Sequence, residues 1–280
     1  MIALLGTGLL GTGFAERMLE LGLPLRVWNR SADKLAPLVE RGAQEAADPA
    51  QAVAGCARVH LVLAEDGAVE SVLAQAAAGL MPGAWIIDHS TTAPEPTAAR
   101  ATRLRAQGLR YVHAPVFMAP EHARQGTGLM LLSAPEAEQA ELTELLAPLT
   151  GKVWYLGPRP DLAAVQKLMG NTMLFVLTGA MGDLFALGRA QGVDEAQVMA
   201  LFEQFRPGAS LPFFGKRILG ASQREASFTL TMARKDLRLA LEAAGSELSV
   251  LSGVAQQMDE AIDAGKGDRD YAAFAERTSR

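Results

Sequence analysis

Short apolar runs alternate with Ala- and Leu-rich amphipathic stretches through the first half of the chain. Strand-like runs fall at 2–5, 25–29, 58–63, 85–88 and 109–113, with helical patterns between them at 10–21, 33–41, 67–78 and 95–107. A chain that alternates strand and helix covers both faces of its sheet with helices, so the pattern predicts a mostly parallel, doubly wound α/β sheet. Two further strands are expected at 129–132 and 153–156, around a helix at 135–149, with antiparallel pairing at the sheet edge.

After Gly157-Pro158-Arg159-Pro160 the pattern changes. No strand-like run follows, and a long apolar helix at about 161–192 opens a helical half. At 280 residues the chain is longer than most single cores. The expected organisation is an α/β domain at 1–158 and an all-α domain at 159–280. Residues 168–182 carry no charge, but the stretch contains Asn171 and Thr172 and is bounded by Lys167 and Asp183. It reads as too short and too polar to cross a bilayer, and as a buried core helix.

Composition narrows the class. Hydrophobic residues make up 49% and charged residues 20%, the profile of a soluble globular protein. A net charge of -5 with no run of like charge argues against nucleic acid or an anionic membrane as partner. The single cysteine, Cys56, excludes an intrachain disulfide and a multi-cysteine metal cage. With no secretory signal at the N-terminus, the expected compartment is the cytoplasm. His60, His89, His113 and His122 share no helical face, so no metal is expected and each is assigned a structural role.

Gly6-Thr7-Gly8-Leu9-Leu10-Gly11 follows the first strand and opens the first helix. In such a turn Gly6 permits the tight bend, Gly8 lets the backbone approach a pyrophosphate, and Gly11 lets the helix pack close to the sheet. The helix N-terminal amides then face the phosphates, so the first domain is expected to be a Rossmann-type dinucleotide-binding domain. The second strand ends Val27-Trp28-Asn29-Arg30-Ser31, without the acid that grips a ribose 2′-hydroxyl in NAD sites. Arg30 can pair with a 2′-phosphate, and Asn29 and Ser31 can hydrogen-bond it, which makes NADP (NADPH) the expected cofactor. Ser31 is equally placed to cap the next helix.

Lys167 and Asn171 stand four residues apart on one face of the long helix, among Val165, Leu168, Met169, Gly170 and Met173. A lysine partly withdrawn from water is a usable proton donor or acceptor, and Asn171 beside it can orient a carboxylate, alcohol or carbonyl. The spacing alone fits a snorkelling, solvated lysine as well.

Further along, Asp88-His89-Ser90-Thr91-Thr92-Ala93-Pro94 reads locally as a strand end with a helix cap, and Lys235-Asp236-Leu237 as a charged turn of an amphipathic helix. Together with the glycine turn, Asn29-Arg30-Ser31 and Lys167-x-x-x-Asn171, in this order and spacing, they resemble the β-hydroxyacid dehydrogenase family over essentially the whole chain. That family includes 3-hydroxyisobutyrate dehydrogenases and glyoxylate/succinic semialdehyde reductases. The resemblance implies hydride transfer from NADPH to a carbonyl carbon, with Lys167 as general acid/base and Asn171 holding the substrate. It places Thr91 near the nicotinamide ribose and Lys235 toward the cofactor. It also implies a homodimer, or a dimer of dimers, in which the helical domains pack together.

One segment departs from the family. Where relatives carry Ser-Gly-Gly amides that cradle a substrate carboxylate, this chain reads Phe117-Met118-Ala119, followed by Pro120, which has no amide proton. Phe117, Met118 and Ala119 are the candidate substrate-facing residues, and the two bulky side chains are equally able to pack under the loop. The primary expectation is an NADP(H)-dependent oxidoreductase of a small hydroxy acid, aldehyde or oxo acid. A less polar ketone or imine is the alternative substrate, and a non-catalytic dinucleotide-binding protein is the alternative class.

Overall fold

The structure is a computed structural model that describes residues 1–221, 223 and 225–276. The chain divides into two compact units, Met1–Asn171 and Thr172–Arg280. The first begins with β1 (Ile2–Leu5), α1 (Leu9–Glu20), β2 (Leu25–Trp28), α2 (Ala36–Glu40), β3 (Gln44–Glu45), α3 (Pro49–Val53), β4 (Arg58–Leu61) and α4 (Asp66–Ala76). It continues with β5 (Trp85–Asp88), α5 (Pro94–Ala106), β6 (Arg110–His113), β7 (Val116–Phe117), α6 (Pro120–Gln125), β8 (Leu129–Ser133), α7 (Gln139–Leu146) and β9 (Lys152–Gly157).

The strands form one sheet in the order β3-β2-β1-β4-β5-β6-β8-β7, with β9 beside β8. From β3 to β6 every neighbour is parallel; β8 runs antiparallel to β6 and β7, and β9 runs parallel to β8. The doubly wound parallel sheet and its antiparallel edge are as the sequence pattern predicts. The two-residue strands β3 and β7 are too short to leave a periodic signal.

Burial on both faces explains the continuous apolar runs of the central strands. Ile2–Leu5 is buried throughout. Phe14, Met18 and Leu38 close one face of the sheet, while Val69, Leu73 and Tyr111 close the other. Fully burying one such side chain as large as Phe14 stabilises the fold by roughly 2–3 kcal/mol. Gly13 lets α1 lie against α6, since a Cβ there would sit 2.5 Å from the Pro120 carbonyl oxygen.

The change from α/β to helical structure falls at the end of β9, beside the break read from the sequence. The compact unit nevertheless runs on to Asn171, 13 residues past Pro158, because the first turns of α8 (Leu162–Ala190) pack on the sheet domain. Ala163 and Ala164 are fully buried there, and the Ala163 amide donates to Ser133 Oγ at 2.7 Å.

The second unit comprises the rest of α8 with α9 (Glu195–Gln204), α10 (Leu211–Leu219), α11 (Leu230–Ala244) and α12 (Ser249–Ala261). Leu230, Ala233, Met258 and Ala261 form its core, with Phe228, Val254 and Tyr271 packed around them. Buried Asp183 of α8 accepts the Val250 and Leu251 amides at 2.9 Å each, so it caps α12 from a helix far away in sequence. Arg217 reaches the fully buried Asp270 at 2.8 Å.

The expectation of a buried core helix at 168–182 does not hold. Leu174 is 55% exposed and Phe175 is 70% exposed, and their neighbours Met173, Val176 and Leu177 are exposed as well. At 29 residues α8 is long and apolar enough to cross a membrane by length and composition. The uncharged window alone understated it, because the helix continues past both Lys167 and Asp183.

Candidate active site

The parallel strands deliver their C-terminal ends to one edge of the first unit. Gly6, Val62, His89 and Ala114 each extend the ladder by one amide, to the carbonyls of Trp28, Leu5, Leu61 and Asp88. The strand order reverses between β1 and β4, and the crevice above such a reversal is where doubly wound sheets bind ligands.

The glycine turn is built for close approach. Gly6 has φ +100°, a left-handed conformation, and a Cβ there would overlap the Val62 carbonyl oxygen. A Cβ on Gly11 would overlap the Gly6 carbonyl oxygen, whereas the space above Gly8 is open. Gly8 is the N-cap of α1 and takes no side-chain cap, so the helix amides point toward that open space. Of the other turn residues, Thr7 is buried, Leu9 is exposed and Leu10 packs against the core. This cradle fits a dinucleotide pyrophosphate.

A cavity of about 680 Å³ runs from the turn along the end of β2, lined by Gly6, Gly8, Asn29, Arg30, Ser31 and Lys34 among others. Asn29, which lines the cavity, also braces the turn. Its Oδ1 accepts the Thr7 amide at 3.0 Å and its Nδ2 donates to the Ser31 carbonyl at 3.0 Å. Ser31 occupies a helix N-cap position, but its hydroxyl makes no cap bond. Among the described residues neither Arg30 nor Lys34 is ion-paired, so the adenosine end of the cavity presents two uncompensated cations. Lys34 is a further cavity residue that the motif does not include, and its place four residues beyond Arg30 is the sequence signal for it.

The loop after β5 is fixed from beneath. Asp88 Oδ1 accepts the Ser90 amide at 2.9 Å, Tyr111 donates to Asp88 Oδ2 at 2.8 Å, and the Arg100 guanidinium lies 3.5 Å from the same oxygen. Arg100 is fully buried and also binds Asp66 at 2.7 Å and Glu70 at 2.8 Å. Burial pulls its pKa down, but Tyr111, Asp66 and Glu70 outweigh that and hold it above the ordinary arginine value. Asp66 Oδ2 in turn accepts the Ala93 amide at 2.8 Å. Ser90 and Thr92 are engaged, with Ser90 Oγ accepting the Leu63 amide and Thr92 Oγ1 bonded to Thr97. Thr91 between them is half-buried and makes no side-chain hydrogen bond among the described residues.

Three histidines that the sequence scatters meet beneath these loops. The hydrogen bonds assign their tautomers: His89 Nδ1–H donates to the Ala114 carbonyl at 2.7 Å, so His89 Nε2 accepts from His60 Nδ1–H at 2.9 Å. His113 Nε2–H donates to the Ser90 carbonyl at 2.9 Å. His60 Nε2 and His113 Nδ1 are buried without a partner among the described residues, so a proton on either would be stranded. Burial accordingly pulls His89 down to about 4, takes His60 well below the ordinary imidazole value and lowers His113. Their positions at the ends of adjacent strands bring them together, which a search for helical spacing misses. Among the described residues no group of three or more His, Cys, Asp and Glu is arranged to hold a metal ion.

At the start of α8, Lys167 Nζ donates to Asn171 Oδ1 at 3.0 Å and lies 4.4 Å from the centroid of the Phe117 ring. The side chain is half-buried, and burial lowers its pKa from the ordinary lysine value. The three loop residues diverge. Phe117 faces Lys167, Met118 packs on the core and against Gly128, and Ala119 is exposed with its amide bonded to His122 Nδ1 at 3.0 Å. Lys235 belongs to the second unit, where it is exposed and pairs with Asp236 at 2.9 Å.

Known proteins are similar to this chain over nearly its whole length. Residues 1–157 match the NAD binding domain of 6-phosphogluconate dehydrogenase, and residues 163–277 match the NAD-binding domain of NADP-dependent 3-hydroxyisobutyrate dehydrogenase. The chain is 28% identical to 3-sulfolactaldehyde reductase of Escherichia coli, covering 99% of this chain and 95% of that one. It is also 28% identical to glyoxylate/succinic semialdehyde reductase 1 of Arabidopsis thaliana, covering 98% and 97%. A reductive aminase from Aspergillus terreus, solved with NADPH and ethyl levulinate, superposes with a TM-score of 0.87 at 26% identity, covering 98% and 97%. Fold and cradle thus define an NAD(P)-dependent oxidoreductase. The chain belongs to the β-hydroxyacid dehydrogenase family, in its 3-hydroxyisobutyrate dehydrogenase-like branch.

Proposed function

We propose that this protein is an NADP(H)-dependent reductase of a small aldehyde or ketone, and the reverse dehydrogenase of the alcohol, with Lys167 as general acid/base. The observation that carries the reading is the Lys167–Asn171 pair, a half-buried ammonium held at 3.0 Å by a neutral amide oxygen. Asn171 fixes the direction of Nζ without neutralising it, and burial makes the proton easier to release. The nicotinamide supplies or accepts the hydride when bound. Lys167 gives its proton to the carbonyl oxygen as negative charge develops there, and takes it back in the oxidative direction. An imine nitrogen is basic enough to acquire a proton from water, so a dedicated lysine supports carbonyl rather than imine reduction.

Arg30 and Lys34 support NADP over NAD, because a 2′-phosphate would meet two cations that are not ion-paired among the described residues. The exposed apolar face of α8 supports a homodimer in which a second copy covers Met173–Leu177, and sedimentation at monomer mass would count against it. The functional test is a panel of aldehydes, ketones and imines run with NADPH and NADH in parallel. NADPH-dependent carbonyl reduction is expected, and Arg30→Ala should raise KM for NADPH roughly 10- to 100-fold while leaving that for NADH in place. Reduction of imines alone would overturn the reading.

A further inference from the structure

Phe117, Gly170 and Lys167 form one packed group. The Phe117 ring sits beneath Lys167 Nζ and passes so close to Gly170 that a Cβ there would overlap ring carbons Cζ and Cε1. Among the amino acids only glycine at 170 leaves the ring this place on the helix that carries Lys167. The surrounding loop offers little to an anion. Val116 and Phe117 pair with Met130 and Leu129 of β8, and Met118 turns into the core. The Ala119 amide is committed to His122, and Pro120 has no amide proton. On the loop side of Lys167, what remains among the described residues is an aromatic face, whose negative quadrupole attracts the ammonium and repels a carboxylate. A carboxylate seated on Lys167 would also retain the proton that the reaction has to deliver.

We propose that the Phe117 ring, admitted by Gly170, is the specificity-determining wall of the substrate site, and that it selects uncharged aldehydes or ketones with an apolar group beside the carbonyl over carboxylate-bearing ones. The inference rests on Lys167 as the proton donor in carbonyl reduction. In that step the carbonyl carbon gains a hydride from the reduced dinucleotide, the carbonyl oxygen takes the Lys167 proton, and solvent returns a proton to the amine. Phe117 and Asn171 hold Nζ from two sides, which leaves its remaining protons for the substrate oxygen.

The test uses matched pairs that differ by one charge, methyl 4-oxobutanoate against 4-oxobutanoate and methyl glyoxylate against glyoxylate, with the full-length protein and NADPH. The neutral member of each pair should have a kcat/KM higher by roughly tenfold or more. Phe117→Ser should bring the ratio to about one or invert it. Phe117→Leu keeps the apolar volume and should keep the preference, while the Lys167 limb of the kcat pH profile moves to lower pH because the ring face no longer favours the ammonium. A wild-type protein that reduces the acids as well as the esters overturns this inference and leaves carbonyl reduction standing. One that binds NADPH and reduces neither member of either pair overturns both.

Discussion

Acidification should weaken the first unit well before its carboxylates titrate. His89 is buried and is pulled down to about 4 by that burial, against an unfolded imidazole value of about 6.5. The unfolded chain therefore takes up the proton first. Stability from the neutral ring is fully present above pH 6.5 and is lost progressively as pH falls toward 4. Between pH 7.5 and pH 5 His89 alone should cost about 2 kcal/mol, at 1.36 kcal/mol per pKa unit. His60 and His113, lowered by the same burial, add to the loss, whereas Glu70 and Glu141, held low by hydrogen bonds from arginines, begin to act only as pH enters the ordinary carboxylate range. The charged groups that bear on these rings are Arg58, which disfavours a proton on His60, Asp88, which favours one on His89 and His113, and, at His113, Arg100, which disfavours a proton, and Asp66, which favours one. All three tryptophans, Trp28, Trp85 and Trp154, lie in the first unit, so urea unfolding followed by tryptophan fluorescence reports on that unit. His89→Phe keeps a ring against Phe14, whose centroid is 4.9 Å away, and removes the titrating group. The drop in stability from pH 7.5 to pH 5 should shrink by about 2 kcal/mol in this variant, whatever its absolute stability. An unchanged drop, or a wild-type protein that gains stability on acidification, would refute the tautomer chain.

Other perturbations separate cofactor, platform and helical unit. Gly11→Ala puts a methyl group onto the Gly6 carbonyl and should abolish dinucleotide binding, as read by quenching of tryptophan fluorescence; binding at wild-type affinity would contradict the geometry of the turn. Arg100→Met strands Asp88 as a buried, uncompensated charge and should cost about 3–5 kcal/mol in urea unfolding. Asp183→Ala removes two charge-assisted bonds to the first turn of α12. It should destabilise the second unit by about 1.5–3 kcal/mol, with faster amide exchange at Val250 and Leu251.

Much of this arrangement is legible in the sequence because its signals are local. The strand runs and the glycine turn are contiguous, so period and spacing reveal them. Lys167 and Asn171 are one helical turn apart, and their hydrogen bond follows from that. Asn29 shows the limit: its place at the end of β2 is visible in the sequence, and only the fold shows that its side-chain amide also ties the Thr7 turn to Ser31. The histidine chain and the Asp66–Arg100–Asp88 network join residues from different strands and helices, and no short window contains them. Loop 117–119 is the sharpest case. Two similar apolar side chains part ways there, Met118 into the core and Phe117 onto Lys167, because side chains of an extended segment alternate in direction and Gly170 leaves space on one side only.

In the proposed function Lys167 does the proton chemistry and takes no part in holding the dinucleotide. Lys167→Met replaces the ammonium with a side chain of similar reach and no proton to give. The direct measurement is NADPH affinity together with turnover on methyl 4-oxobutanoate in this variant. Affinity should stay close to that of the wild-type protein while kcat falls by roughly 10²- to 10⁴-fold. Turnover at the wild-type rate would contradict the claim.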